Sequence, residues 1–275
     1  MNPGDVTEVP SNTPGKRGLF AAFGGGGIIG ALGGLIGLGG AEFRLPLLIG
    51  LFGFGPLEAV ILNKAMSLVV VTSALPFRAI AVPFSEVVIH WAVILNLLAG
   101  SLVGAWFGAG WATRLRSETL YRIIATLLVA IAAVLLIGHD TTGAGRPLLE
   151  GSLQVVVGVG AGFLIGVVAS LLGVAGGELL IPTIVLLFGV DIKLAGSLSL
   201  AVSLPTMIMG FTRYSRDRSF AVLGSNRSFV MVMAIGSIAG SFIGAHLLGI
   251  VSNAVLLPAL ALVLLISAVK VWRHH

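Results

Sequence analysis

Four ionisable residues, Glu42, Arg44, Lys64 and Glu178, stand inside apolar runs, where a charge needs a reason. Each glutamate follows a cluster of glycines and precedes a proline by four residues, Pro46 after Glu42 and Pro182 after Glu178. Glycine permits positive φ and close backbone approach, and proline keeps the helical hydrogen-bond ladder from running through that point. A half-helix starting near either glutamate would present free N–H groups and the positive end of its dipole, which together make an anion site. At membrane depth such a break is tolerated where it faces protein or a wet cavity, and paired breaks in corresponding halves point to a transporter's substrate site. Gly39, Gly40, Gly176 and Gly177 are the backbone candidates. The plainer reading is that these glycines only let helices pack closely.

Arg44 and Lys64 supply positive charge, a planar fork suited to a sulfonate or carboxylate and a compact ammonium respectively. Each either contacts an anion, or snorkels or pairs with Glu42. Asn63 and Ser67, one turn apart on one helix face, and likewise Ser199 and Ser203, could together with Ser197 donate to anion oxygens or make ordinary interhelical bonds. Glu42 and Glu178 either carry a coupled proton or cap their own half-helices; the two roles are compatible. His90 and His246 have no second ligand at metal spacing, so no metal is expected. No P-loop, no Ser/His/Asp pattern and no H-E-x-x-H motif occurs, so neither a cofactor nor enzymatic activity is expected.

The elements that must hold these residues are membrane helices. Of 275 residues, 57% are hydrophobic and 10% charged, against about 25% charged in soluble domains. The apolar residues come in long runs at roughly 18–36, 42–53, 57–77, 86–109 and 119–138, then 152–172, 178–189, 192–211, 227–248 and 253–271. Most reach the ~20 residues that a spanning helix needs. The second and seventh are short and read as the half-helices. The four tryptophans fall mostly near segment ends, as interfacial anchors do. Absence of cysteine excludes disulfides and thiolate chemistry.

The two sets of five are copies. GLGGAEFRLPLLIGLFG (37–53) aligns with GVAGGELLIPTIVLLFG (173–189) at an offset of 136 residues. AGSLVGA (99–105) matches AGSFIGA (239–245) at an offset of 140, which suggests a longer loop around 213–219 in the second half. Arg44 and Lys64 fall opposite Leu180 and Leu200, and Asn63 and Ser67 opposite Ser199 and Ser203.

The expected fold is therefore an all-α polytopic membrane protein with two homologous halves of about five helical segments. Residues 1–17 form a flexible cytoplasmic tail, 18–138 the first repeat, 139–151 a loop and 152–272 the second repeat. If all ten segments cross, the halves are inverted, each with a glycine-broken half-helix. Lys16, Arg17, Arg114, Arg116, Arg122, Arg213, Arg216, Arg218, Arg227, Lys270 and Arg273 then share one side, against Arg78, Arg146 and Lys193. Basic residues favour the cytoplasmic side, which puts both termini there. If the half-helices are re-entrant, eight segments cross and the halves are parallel; the charge bias favours ten by a narrow margin.

The paired segments 37–53 and 173–189, with the AGS-x-x-GA copies, resemble the glycine-rich signatures of the sulfite exporter TauE/SafE family, also called the 4-toluene sulfonate uptake permease family. The resemblance spans about residues 18–271. It departs at the usual triple glycine, which is GLGGAE in one copy and GVAGGE in the other. It implies a multi-pass transporter of the bacterial inner membrane for sulfite, sulfoacetate or related organic anions, often exported. The expected mechanism is gradient-driven alternating access, with proton coupling as one possibility. An anion channel, or a membrane-embedded assembly factor or enzyme, is the alternative. Expected partners are a small anionic substrate and the lipid bilayer, as a monomer or homodimer, and no nucleic acid.

Overall fold

The computed structural model describes residues 16–36, 40–79, 82–116, much of 118–129, 147–247 and positions 265 and 269; the side chains of Lys16, Arg17, Ile36, Glu42, Glu178 and Ile192 are not described. Every regular element among the described residues is helical. The first half contributes α1 (Lys16–Ile36), α2 (Ala41–Gly50), α3 (Pro56–Arg78), α4 (Phe84–Ile89) and α5 (Trp91–Ala112). The second contributes α6 (Gly151–Leu172), α7 (Gly177–Phe188), α8 (Ile192–Tyr214), a 3-10 turn (Arg218–Phe220), α9 (Ala221–Ser225) and α10 (Arg227–Leu247). Among the described residues six helices are long and apolar enough to cross a membrane: α1, α3, α5, α6, α8 and α10. The fifth and tenth apolar segments expected at 119–138 and 253–271 lie largely outside the described residues.

Local chemistry sets the boundaries. The short helices begin after Gly40 (φ 62°) and Gly176 (φ 81°), and α6 stops at Gly173 (φ 67°), conformations that glycine adopts at low cost. At α3 the first residue is Pro56, and the Glu58 carboxylate accepts a bond from the Gly55 N–H at 3.3 Å. At the equivalent start of α8, the Asp191 carboxylate accepts from the Lys193 N–H at 2.8 Å. The segment expected at 86–109 is divided at His90, whose φ and ψ of −91° and 24° leave the helical region.

Contacts fix the helix directions. Gly26, Gly30 and Gly34 of α1 meet Met233, Ser237 and Ser241 of α10 in order, so these two helices run parallel. Gly162 and Gly166 of α6 meet Leu97 and Ser101 of α5 in order, a second parallel pair. These approaches are backbone to backbone and leave no room for a Cβ, which is why glycine recurs every fourth residue on both partners. α3 runs with α10: its approach at Phe52 and Phe54 stacks on Phe229, and its end at Phe77 meets Phe242. α3 runs against α8, since Lys64 abuts Gly210 while Arg78 reaches Ser197. α8 runs with α5, through Ser101 to Thr206 and Trp106 to Arg213. α2 folds back along α1, Gly40 against Ile29 and Leu47 against Gly25; α7 folds back along α6, Gly176 against Ile165 and Phe188 against Gly158. Thus α1, α3, α7 and α10 run one way, and α2, α5, α6 and α8 the other.

One offset relates the two halves throughout. The α10 glycines 236, 240 and 244 meet Phe23, Gly27 and Ala31; the α5 glycines 100, 104 and 108 meet Val159, Phe163 and Val167. Each number in the second set sits 136 from its counterpart in the first. The 140-residue match of the AGS-x-x-GA copies is therefore displaced by one helical turn, because a glycine repeat of four matches itself when shifted by four. The connection around 213–219 is not longer: α4 and α9 occupy equivalent places in it. Packing also exchanges partners between the halves, α1 with α10 and α5 with α6, these being the two most extensive helix contacts. Two four-helix bodies result, α1/α2/α3/α10 and α5/α6/α7/α8, which touch mainly where α3 crosses α8.

Candidate functional site

The region around the seam between these bodies holds several of the buried polar residues, among them Asn63, Lys64, Arg78 and Ser197. Arg44 lies one turn into α2, fully buried, because Gly40 starts that helix at the level of Ile29 inside the fold. Its guanidinium donates to Ser67 Oγ at 3.1 Å and to Asn63 Oδ1 at 3.5 Å on α3. Asn63 in turn donates from Nδ2 to the Leu172 carbonyl at 3.1 Å, at the broken end of α6. One side chain thus links the first half's cation to the second half's helix break. Residues 63–67 lie roughly 10–16 Å along α3 from its start, near the middle of a ~30 Å hydrocarbon layer.

Lys64 leaves α3 on a neighbouring face and does not join that cluster. Its ammonium donates to Ser170 Oγ at 3.3 Å and to the Ala169 carbonyl at 3.4 Å. It fits because residue 210 is glycine: a Cβ there would stand 2.9 Å from Nζ, from Cε and from Ser170 Oγ. Ser170 is held from behind by the Tyr214 hydroxyl, which donates to its carbonyl at 2.7 Å. Among the described residues no carboxylate pairs with Lys64, and the acceptors that meet its buried ammonium are neutral. An intramembrane charge in that situation marks a functional site by default.

The second-half candidates are occupied with backbone. Ser203 donates to the Ala175 carbonyl at 2.7 Å, bracing the 173–176 break, and Ser199 donates to the Gly196 carbonyl at 2.8 Å. Gly40 and Gly176 are the left-handed residues that start the half-helices, and Gly177 opens α7. As glycines, Gly40 and Gly176 offer no side-chain cap to the N–H groups that follow. Gly39 and the carboxylates of Glu42 and Glu178 lie outside the described residues. Among the described residues no group of three His, Cys, Asp or Glu could hold a metal.

Sequence reasoning overlooked Arg78, Ser170, Gly210 and Tyr214. Arg78 reads as a loop-end charge, yet it is 1% exposed and donates from Nη2 to the Lys193 carbonyl at 3.0 Å. It also reaches Ser197 Oγ from Nε and the Gly34 carbonyl from Nη1, both at 3.4 Å. The signal that could have found it is the 136 offset, which sets Arg78 opposite Tyr214 and Gly34 opposite Ser170. Both pairs close the same bond, from the last residue of α3 or α8 to a carbonyl near the end of α1 or α6.

Chemically, the seam offers guanidinium, ammonium, amide and hydroxyl donors and no described nucleophile–base pair. Such a surface can bind and release an anion. Residues 22–271 match the sequence profile of the family described as Sulfite exporter TauE/SafE. No curated protein and no solved structure matches the chain.

Proposed function

The chain belongs to the sulfite exporter TauE/SafE family, and from that premise we propose that it is a secondary transporter moving a small sulfur-containing or organic anion across the bacterial inner membrane. Sulfite, sulfoacetate and other organosulfonates are the substrate class. The observation that carries the reading is Arg44: a fully buried guanidinium at mid-membrane depth, on a glycine-broken half-helix, facing Asn63 and Ser67. A planar guanidinium fork suits a tetrahedral or pyramidal oxyanion, and here Asn63 and Ser67, which donate to the Leu172 and Asn63 carbonyls, hold that fork in place as acceptors. Gly40 and Gly176 would add backbone N–H groups at the two breaks.

The way the halves are built supports alternating access. The equivalent helices α1 and α6, α2 and α7, α3 and α8, and α5 and α10 run in opposite directions, which supports inverted repeats with five crossings each. The moving units would be the two four-helix bodies, since the glycine-lined pairs that tie α1 to α10 and α5 to α6 are too tight to slide apart. Their seam contains Asn63, Lys64 and Arg78, so opening it on one face and then the other exposes the site alternately. Arg114, Arg116, Arg213, Arg216, Arg218 and Arg227 gather at the end where α5 and α8 finish and α10 starts. That distribution supports placing this face, with both termini, in the cytoplasm.

Glu42 and Glu178 are the groups to which proton coupling is assigned. Replacing either with Gln should leave counterflow intact and abolish accumulation driven by a pH gradient; unchanged accumulation in both variants removes the role. The function itself is tested by reconstituting the protein and screening radiolabelled sulfite, sulfoacetate, taurine and simple carboxylates. Saturable counterflow of a sulfur oxyanion is expected. Flux that rises linearly with concentration and shows no counterflow would indicate a channel instead.

A further inference from the structure

Two arginines lie on one indole at the end of the fold where α5 and α8 finish. Arg213, the last residue but one of α8, places its guanidinium carbon 5.3 Å from the centroid of the Trp106 ring. Arg216, just past the helix, places its own at 5.2 Å from the same ring. Arg213 reaches along α5 because residue 110 is glycine: a Cβ there would stand 3.0 Å from Nε and 3.1 Å from Nη2. The side chain is half-buried, and its Nε is enclosed without a hydrogen-bond partner. Among the described residues no carboxylate pairs with either guanidinium. The nearest acidic residue along the chain, Asp217, uses its carboxylate to accept from the Ser219 N–H at 2.9 Å. Two like charges therefore share one ring, and the indole face offsets only part of their repulsion.

The repeat indicates that this contact does not need charge. At the offset of 136 residues, Trp106 falls opposite Phe242, Arg213 opposite Phe77 and Gly110 opposite His246. Phe242 meets Phe77 edge to face at 5.4 Å and His246 at 4.3 Å, so rings alone close the contact between α3 and α10. At the opposite end of the molecule, between α8 and α5, an arginine stands where a phenylalanine serves, and a second arginine joins it. Beside Trp106, the side chains of Val103, Phe107 and Trp111 form a stripe along one face of α5, and all three are exposed. An exposed apolar face on a spanning helix meets acyl chains. This stripe runs to the end of α5 that carries the arginines. What lies along the stripe is apolar and what meets the guanidiniums is an anion; a phospholipid with net negative charge joins the two in one molecule.

We propose that Arg213 and Arg216, held on Trp106, bind the phosphate of an anionic phospholipid whose acyl chains lie along Val103, Phe107 and Trp111. Guanidinium and phosphate form charge-assisted hydrogen bonds of the strong class. The site is separate from the Arg44 cluster and does not depend on which anion is transported. It is tested by native mass spectrometry of the full-length protein in detergent. Dioleoyl phosphatidylglycerol, dioleoyl phosphatidylcholine or inorganic phosphate is added. Wild type should retain phosphatidylglycerol about fivefold better than phosphatidylcholine, or more. Arg213→Phe copies the contact of the other half while removing the charge. It should retain about fivefold less phosphatidylglycerol, with a melting temperature within a few degrees of wild type. Arg227→Gln removes an exposed charge at the same end, on α10 in the other four-helix body, and should leave retention within about twofold. Equal retention by Arg213→Phe and wild type would overturn the site. An equal fall in Arg227→Gln would also overturn it, by showing diffuse attraction to basic residues. Equal retention of the two lipids by wild type would remove the role of charge and with it the site. Displacement of phosphatidylglycerol by inorganic phosphate at equal concentration would overturn the lipid assignment in favour of a free anion. Should Arg213→Phe not fold, Arg216→Gln at its exposed position decides: a fall of about fivefold supports the site, and unchanged retention overturns it.

Discussion

The two halves of this protein share one backbone and differ in charge. At an offset of 136 residues, helix starts, helix breaks and glycine contacts coincide. The buried cations among the described residues do not: Arg44, Lys64 and Arg78 all belong to the first half, opposite Leu180, Leu200 and Tyr214. Since Leu180, Leu200 and Tyr214 are buried at the matching places, the scaffold is satisfied without charge. The proposed function assigns that positive charge in the first half to anion binding. Burying an arginine or lysine in a membrane costs on the order of 2.5–3.5 kcal/mol even by the lenient insertion scale, so three in one half is a cost with a use.

The largest expected effect breaks what the halves share. Gly104 and Gly240 are equivalent, each backing onto a carbonyl of the parallel partner helix with no space for a Cβ. Gly104→Leu and Gly240→Leu should each remove folded protein, seen as loss of the monodisperse peak in detergent gel filtration. Overpacking a tight contact costs about 1–3 kcal/mol or more, and here backbone must move. If one variant folds normally, the two interfaces are not equivalent.

The next effect tests what the halves do not share. Lys64→Leu copies the second half at its own position and should cut transport at least tenfold, with thermal stability equal to or above wild type. Retained transport would make Lys64 a structural residue. Gly210→Ala presses on the same ammonium and should lower transport several-fold, while Ala74→Gly at the equivalent position should leave it within twofold; flux assays on matched folded protein compare them. The smallest effect is Ser203→Ala, which removes the brace on the 173–176 break and should lower stability by about 1 kcal/mol without changing substrate affinity.

Much of this fold is legible in the sequence because membrane helices are long and the repeat is strong. The segment expected at 57–77 is Pro56–Arg78, and that at 178–189 is Gly177–Phe188. The register of α5 against α10 was harder to read, because glycine every fourth residue aligns equally well one turn away. The candidate site's arrangement was half legible. Arg44, Asn63 and Ser67 come together because an i, i+4 pair on α3 faces a half-helix that starts where its glycines are. Lys64 departs from them because adjacent residues on a helix point about 100° apart, a fact present in the sequence, while the glycine that receives its head lies 146 residues further on. Arg78 was hidden by its position at a helix end, where arginine usually reports topology.

The central claim is that the first half's buried charge binds the transported anion. It is tested most directly by sulfite counterflow in proteoliposomes, comparing wild type with Arg44→Gln at equal amounts of folded, reconstituted protein. The account predicts saturable counterflow in the wild type and at least a tenfold fall in the variant, with an unchanged melting temperature. Counterflow of equal rate and equal half-saturation in Arg44→Gln would contradict it.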